Sequence, residues 1–460
     1  MIRLTSRYSV NPGVYTKKIK GIVLLFNPLT VSAFVLLEGW ANTMVSLLDG
    51  EKYLSVIFKE IQSRLPAIPR GEMVRCMNRL VDEHIVTEIV PKAQNSVIDA
   101  KEELSDHLSF WISLTDQCNF RCKYCFIKKD ATFMGEEGYK KTLAKITGLI
   151  DKNNPKYVKI HYAGGEPFLN FEMLKKFHNA FLKLTRSRKI KIDETIITNG
   201  SLITKPVLDF LKKEHLLVSV SLDGLKEAND KTRVYKDGTS TFAQVKKGLL
   251  LLYENNVLRN VDIVISSQNI NDLPPFVTFL LKRKIPFVFN FYKHNILSSD
   301  AFYCKQNELV SRLKKIYRKI YAYYKENRTM ESPISQLQLL DSVQLKERRT
   351  RVCGAGRNYL TFRVDGTLDA CPLIYEKVII RGEKPFHVPS SDRLEGCKSC
   401  QWRHLCGGGC AAEKWIKYKN TSHTSHYCHV YKELIPYLID LEGELILHNR
   451  IKASFRGKTS

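Results

Sequence analysis

No run of this 460-residue sequence is long and apolar enough to read as a membrane span. The nearest, Ile22–Leu37, follows Lys17, Lys18 and Lys20 in the manner of a signal anchor. It falls short of the roughly 20 residues a helical span needs, and Asn27-Pro28, Thr30 and Ser32 interrupt it. Two strands about an Asn-Pro turn describe it better. Internal repeats and low-complexity tracts are absent, and the apolar and charged fractions are those of an ordinary globular chain. Acidic residues are scarce: 47 against 72 basic ones leave a net charge of +25. Such an excess points to an anionic partner, whether nucleic acid, membrane surface or acidic peptide. A secretory signal is also lacking, so the twelve cysteines, ten of them in tight groups, favour metal or clusters over disulfides. The expected location is the reducing cytoplasm.

Two or three domains fit this length. Residues 1–100 hold no clustered cysteines; Lys20–Phe26 and Ser32–Glu38 read as a hairpin, followed by short helices near Ala41–Leu48, Tyr53–Leu65 and Glu72–Asp82. Asp49-Gly50 separates the first two helices, Pro66 to Pro69 the second and third, and Ile85–Val90 reads as a closing strand. The plan is winged-helix-like. Further on, strand candidates at Leu108–Leu114, Tyr157–Tyr162, Ile190–Thr198, Leu216–Leu222, Val261–Ser266 and Pro286–Phe291 alternate with helices such as Phe171–Leu184 and Thr241–Glu254. Six alternating strands predict an α/β fold, a parallel sheet curled into a partial (β/α)6 TIM-like barrel. Functional residues in such barrels lie at the C-terminal ends of strands. Residues 305–350 read as helical and basic. The remainder is cysteine- and loop-rich, with a helix near Val430–Leu447.

Cys118-x3-Cys122-x2-Cys125 directly follows the first barrel strand. Such a loop can wrap three thiolates around three irons of a [4Fe–4S] cube, leaving the fourth iron for an amine and carboxylate of S-adenosylmethionine (SAM). Zinc is the competing reading, but zinc sites usually show paired CxxC units and four ligands. Gly164-Gly165-Glu166-Pro167, Thr198-Asn199-Gly200 and Ser221-Leu222-Asp223-Gly224 end the next three strands, with Arg233 in the loop beyond. The two glycines would let backbone approach a ligand, and Glu166 could bind an ammonium.

With Tyr124 in the penultimate slot of its cysteine loop, residues 105–295 resemble the radical SAM superfamily. The resemblance implies that Cys118, Cys122 and Cys125 hold the catalytic cluster and that Glu166 contacts the methionine amine. It implies that Ser221 and Arg233 meet the carboxylate, and Asn199 and Asp223 the nucleoside side. Reductive cleavage of SAM would then yield a 5′-deoxyadenosyl radical that abstracts a substrate hydrogen.

A second cysteine field runs Cys353-x12-Gly366-x4-Cys371, then Cys397-x2-Cys400-x5-Cys406-x3-Cys410, then Cys428. Seven thiols cannot all pair as disulfides; two structural zincs remain possible. The pattern is similar to the SPASM extension of radical SAM peptide-modifying enzymes. That likeness implies two auxiliary [4Fe–4S] clusters, an outer one on Cys397, Cys400, Cys406 and Cys428 and an inner one on Cys353, Cys371 and Cys410. The inner set lacks a fourth cysteine, leaving an open iron, a non-cysteine ligand or a thiol from elsewhere such as Cys304. His404, His423, His426 and His429 are expected as surface or core histidines.

Residues 1–100 look like the PqqD-type precursor-recognition element, which binds a leader peptide as an added strand. Nucleic acid is the competing partner of such a domain, but Glu72–Asp82 carries only Arg75 and Arg79 among positive charges. The expected organisation is therefore a leader-binding domain over 1–100, a radical SAM barrel over 101–345 and a SPASM domain over 346–460. The expected function is modification of a ribosomally made precursor peptide, with thioether formation first and carbon–carbon cross-linking or epimerisation next. Reduced flavodoxin or ferredoxin is the expected electron donor, with no membrane partner. Formylglycine formation of the anaerobic sulfatase-maturase kind is the alternative. No residue stands out as a general acid or base.

Overall fold

The computed structural model describes residues 2–89, 106–327, 332–374 and 386–456. Residues 2–89 form two small sheets and three helices. The strands are β1 (Arg7–Val10), β2 (Tyr15–Ile19), β3 (Ile22–Phe26), β4 (Val35–Leu37), β5 (Asp49–Tyr53) and β6 (Val86–Ile89). The expected hairpin is β3–β4, and β2 extends it to the antiparallel meander β2-β3-β4. A second sheet of order β5-β1-β6 carries the closing strand. Asp49-Gly50 is thus not simply a turn: it opens β5, which pairs with a strand 40 residues earlier in the chain (Ser9↔Asp49). The helices Trp40–Ser46, Leu54–Arg64 and Arg70–Asp82 cover a core built on Met44, Leu54, Phe58, Met73, Met77 and Leu80. The expected domain limit at residue 100 lies outside the described residues.

The six barrel strands are β7 (His107–Ser113), β8 (Tyr157–Ala163), β9 (Lys191–Thr198), β10 (Leu217–Ser221), β11 (Leu258–Ile265) and β12 (Phe287–Phe291). They are parallel and neighbour one another in sequence order, because each returns through a helix on the outer face. Two further strands, β13 (Tyr359–Phe362) and β14 (Leu368–Asp369), come from the cysteine-rich region and complete an eight-stranded sheet, β13 lying parallel to β7. The C-terminal third therefore shares a sheet with the barrel. The helix expected across 305–350 is shorter: among the described residues of that span, Gln306–Glu326 and Pro333–Gln336 are helical. Pro333 opens the short second helix, where its fixed φ is tolerated, and beyond it Leu337, Leu339, Leu340 and Val343 join the core.

The last helix, Cys428–Arg456, packs along Gln306–Glu326. Its other face receives the β2-β3-β4 sheet. Leu24 and Phe26 belong to the same apolar core as Leu438 and Ile439, and Tyr15 donates to Asp440 at 2.7 Å. Among the described residues no helix is long and apolar enough to cross a membrane.

Candidate functional site

A cavity of ≈ 440 Å³ opens at the C-terminal ends of β7–β12. Cys118, Cys122 and Cys125 line it, together with Tyr124, Gly164, Gly165, Asn199, Ser221 and Arg233. Nine of the residues singled out from the sequence therefore share one wall system, drawn from loops after four different strands.

The loop carrying the three thiols is held by its backbone. Arg121 N donates to Val234 O at 2.8 Å and Lys123 N to Thr232 O at 2.9 Å. On the other side Gly165 N donates to Thr115 O at 2.6 Å and Glu166 N to Gln117 O at 2.9 Å. Beside the ligand approach expected of them, the two glycines meet a packing need. A Cβ on Gly164 would fall 2.2 Å from Thr115 O, and one on Gly165 2.0 Å from Gln117 O, so both are required for the β8 end to lock the cysteine loop.

Glu166 and Asp223 are each held by donors of the protein around them. Neither lines the cavity. Glu166 is fully buried and accepts from Thr198 Oγ1 at 2.7 Å, Asn199 N at 2.8 Å and Phe168 N at 3.2 Å. Burial pushes its carboxyl up to about 7, against those three donors. Asp223 accepts from Arg233 Nε at 2.9 Å, from Val264 N at 3.0 Å and from the Tyr124 hydroxyl. Both carboxylates hold walls of the cavity, because buried acids at strand ends find backbone and side-chain donors around them.

Three residues not anticipated from the sequence complete the site. Lys129 lies by the thiols; burial opposes its charge, but Cys125, Cys122 and Cys118 raise its pKa overall. Asp262 on β11 and Asn290 on β12 line the barrel interior. Burial pushes the Asp262 carboxyl up to about 6. Its signal in the sequence is an acid interrupting the apolar strand Val261–Ile265.

The second cysteine field separates into two places. Cys397, Cys400, Cys406 and Cys428 line one small cavity with Trp402 and Tyr431. Cys371 is raised by burial and then by its neighbours Cys410 and Cys353, which places these three together. Burial likewise pushes Cys118 up to about 11 and Cys406 and Cys410 up to about 12. Buried thiols with such values stay protonated unless a metal displaces the proton. The donor chemistry at Cys118, Cys122 and Cys125 fits an iron–sulfur group. Cys304 is buried, near Glu308 and Tyr427. His404 is a core histidine: Nδ1 pairs with Leu29 O at 2.8 Å and Nε2 with Asp392 at 2.7 Å.

Residues 112–280 match the radical SAM superfamily profile. The radical SAM cyclopropyl synthase TigE of Paramaledivibacter caminithermalis is 24% identical over 372 residues, covering 73% of this chain and 75% of TigE. A cysteine-type anaerobic sulfatase-maturating enzyme of Clostridium perfringens is 22% identical over 355 residues, covering 70% of this chain and 93% of that enzyme. The solved structure of native anSMEcpe with bound AdoMet and Cp18Cys peptide shares the fold, with a TM-score of 0.60 and 21% identity over 75% of this chain and 99% of that one. SAM and a [4Fe–4S] cluster are the cofactors that this match implies. Residues 112–280 are thus a radical SAM domain, set in a chain related to a cyclopropyl synthase and to anaerobic sulfatase-maturating enzymes.

Proposed function

We propose that this chain is a cytoplasmic peptide maturase that uses SAM and three [4Fe–4S] clusters to modify a ribosomally made precursor. The observation that carries the reading is the sorting of ten cysteines into three separate places in the fold. Cys118, Cys122 and Cys125 hold the catalytic cluster. Cys397, Cys400, Cys406 and Cys428 hold an outer auxiliary cluster, and Cys353, Cys371 and Cys410 an inner one. When bound, cluster and SAM supply a 5′-deoxyadenosyl radical for hydrogen abstraction.

The chain's own residues then have distinct roles. Arg233 and Ser221 face the cavity to bind a carboxylate, and Asn199 to position the nucleoside. Asp223 orients Arg233 and Tyr124, and Glu166 orients Asn199. Asp262 and Asn290 face the space left for substrate, where an acid and an amide can hold a peptide backbone. A peptide substrate is supported by the peptide in the anSMEcpe structure, which shares the fold. Residues 1–100 dock the leader as an added strand, and the net positive charge of the chain suits an acidic one. Thioether formation is the first expectation and carbon–carbon bonding the next, the latter in keeping with the cyclopropyl synthase relative.

The deciding experiment is mass spectrometry of a short precursor encoded beside the gene after anaerobic reaction. Loss of two hydrogens is the expected result. A neighbouring sulfatase converted to formylglycine, with no precursor modified, would replace this reading by sulfatase maturation, which the Clostridium relative favours. That relative matches 70% of this chain, however, and its chemistry gives residues 1–100 no task.

A further inference from the structure

Three thiols leave one corner of an iron–sulfur cube without a protein ligand. The inner group, Cys353, Cys371 and Cys410, has that deficit. Cys410 is the N-cap of the helix Ala411–Tyr418, and Glu413 lies three residues on, one turn along the same face. Glu413 is 2% exposed. Its Oε1 accepts from the Tyr303 hydroxyl. Its Oε2 has no hydrogen-bond partner among the described residues. A carboxylate oxygen buried without a partner costs the full desolvation of that group, so the arrangement calls for one.

Neighbouring groups are already engaged. Asp341 Oδ1 accepts from Phe291 N at 2.9 Å and from Lys293 Nζ at 2.7 Å. Its Oδ2 accepts from Tyr431 at 2.7 Å and Ser342 at 3.0 Å. Lys293, a cation next to both Cys410 and Glu413, is therefore committed to Asp341. Cys304 is buried, with Glu308 and Tyr427 in its neighbourhood. Among the described residues, what remains beside Cys410 is one carboxylate oxygen without a hydrogen-bond partner, on a side chain whose other oxygen is fixed by a tyrosine. Carboxylates are competent iron ligands, and a hydrogen bond to the distal oxygen orients them.

We propose that Glu413 is the fourth protein ligand of the inner cluster, with Oε2 on the corner that Cys353, Cys371 and Cys410 leave, and with Tyr303 as its positioning residue. The proposal rests on the assignment of an inner cluster made above. It has a functional consequence: a cluster ligated at all four corners does not bind a substrate thiolate, so its role is electron transfer.

The test removes the first cluster, whose vacant iron would otherwise respond to the same probes. In full-length protein carrying Cys118→Ala, Cys122→Ala and Cys125→Ala, anaerobic reconstitution should leave about eight irons per chain. A content of about four or fewer would overturn the auxiliary-cluster assignment itself, and Glu413's role with it. At about eight irons, β-mercaptoethanol should leave the electron paramagnetic resonance spectrum of the dithionite-reduced clusters unchanged. Mild ferricyanide oxidation should produce no three-iron signal. Adding Glu413→Gln should create both responses, and Glu413→Cys in its place should abolish them again. A thiol response with Glu413 intact, or a Glu413→Gln protein identical to its parent, would overturn the proposal.

Discussion

Asp223 and Arg233 form a buried pair, Nε to Oδ2 at 2.9 Å, with side chains 1% and 8% exposed. From that position Arg233 Nη1 reaches Cys122 Sγ at 3.8 Å, and its guanidinium lies 5.5 Å from the centre of the Tyr124 ring. Burial works against the arginine cation, but Asp223, Tyr124 and Cys122 outweigh it and hold it charged. One carboxylate therefore sets the aim of a cation that faces both the cysteine loop and the cavity. Replacing Asp223 by Asn keeps the shape and removes the charge. The expected outcome is SAM affinity about 10–100-fold weaker, the usual cost of losing an orienting partner. Equilibrium binding of SAM to anaerobic protein checks it; unchanged affinity would show that Arg233 needs no orientation.

Lys129 is a further cation beside the three thiols, donating to Phe120 O at 3.1 Å. A positive charge beside a cluster favours its reduced, more negative state. Lys129→Gln should shift the midpoint potential of the first cluster downward, on the order of 50 mV for a charge several ångströms away in a partly screened site. A redox titration followed by paramagnetic resonance measures it. A potential unmoved or raised would contradict the placement.

The barrel was legible in the sequence because strands buried on both faces read as short apolar runs between helices, and all six candidates became β7–β12. The cysteine spacings were equally legible. Local pattern could not reveal β13: Tyr359–Phe362 is four residues long, and its partner β7 lies about 250 residues away. Nor could β2, whose Tyr-Thr-Lys-Lys-Ile sequence is polar until β3 pairs with it. The polar strand-end clusters were visible, but not their direction. Whether Glu166 faces ligand or protein depends on Thr198 and Asn199, brought beside it by sheet order.

Glu166 also gives a pH signature. Its carboxyl is raised from 4.5 to about 7, chiefly by burial. Between those values the folded protein keeps a proton that the unfolded chain has lost. Stability from this group is therefore fully present below pH 4.5 and is lost as pH rises through 7, by up to about 3 kcal/mol. Glu166→Gln removes the ionisation, so the difference in stability between wild type and variant should change in that window and be flat above it. Urea unfolding at pH 5, 6, 7 and 8 would reveal this. A difference independent of pH would mean that the carboxyl ionises normally.

The first region is built into the rest of the fold, which changes how leader binding must be tested. Leu24 on β3 is fully buried, and a Cβ on Gly443 of the last helix would lie 2.7 Å from its Cδ2. Tyr15 packs on Trp402 with ring centres 5.6 Å apart, and Lys17 pairs with Asp440 at 3.2 Å. Arg348 and His404 both donate to Leu29 O. Deleting the first hundred residues would thus strip an apolar face from the C-terminal helix, and lost peptide binding would be confounded with lost stability. Leu24→Ala separates the two. It leaves a cavity at the junction and should cost about 2–5 kcal/mol, without touching the β5-β1-β6 sheet. The expected result is a lower unfolding midpoint for the whole chain in a single transition, because one core spans both regions. Two separate transitions, with only the minor one shifted, would show that the first region folds on its own and that the deletion is a clean test after all.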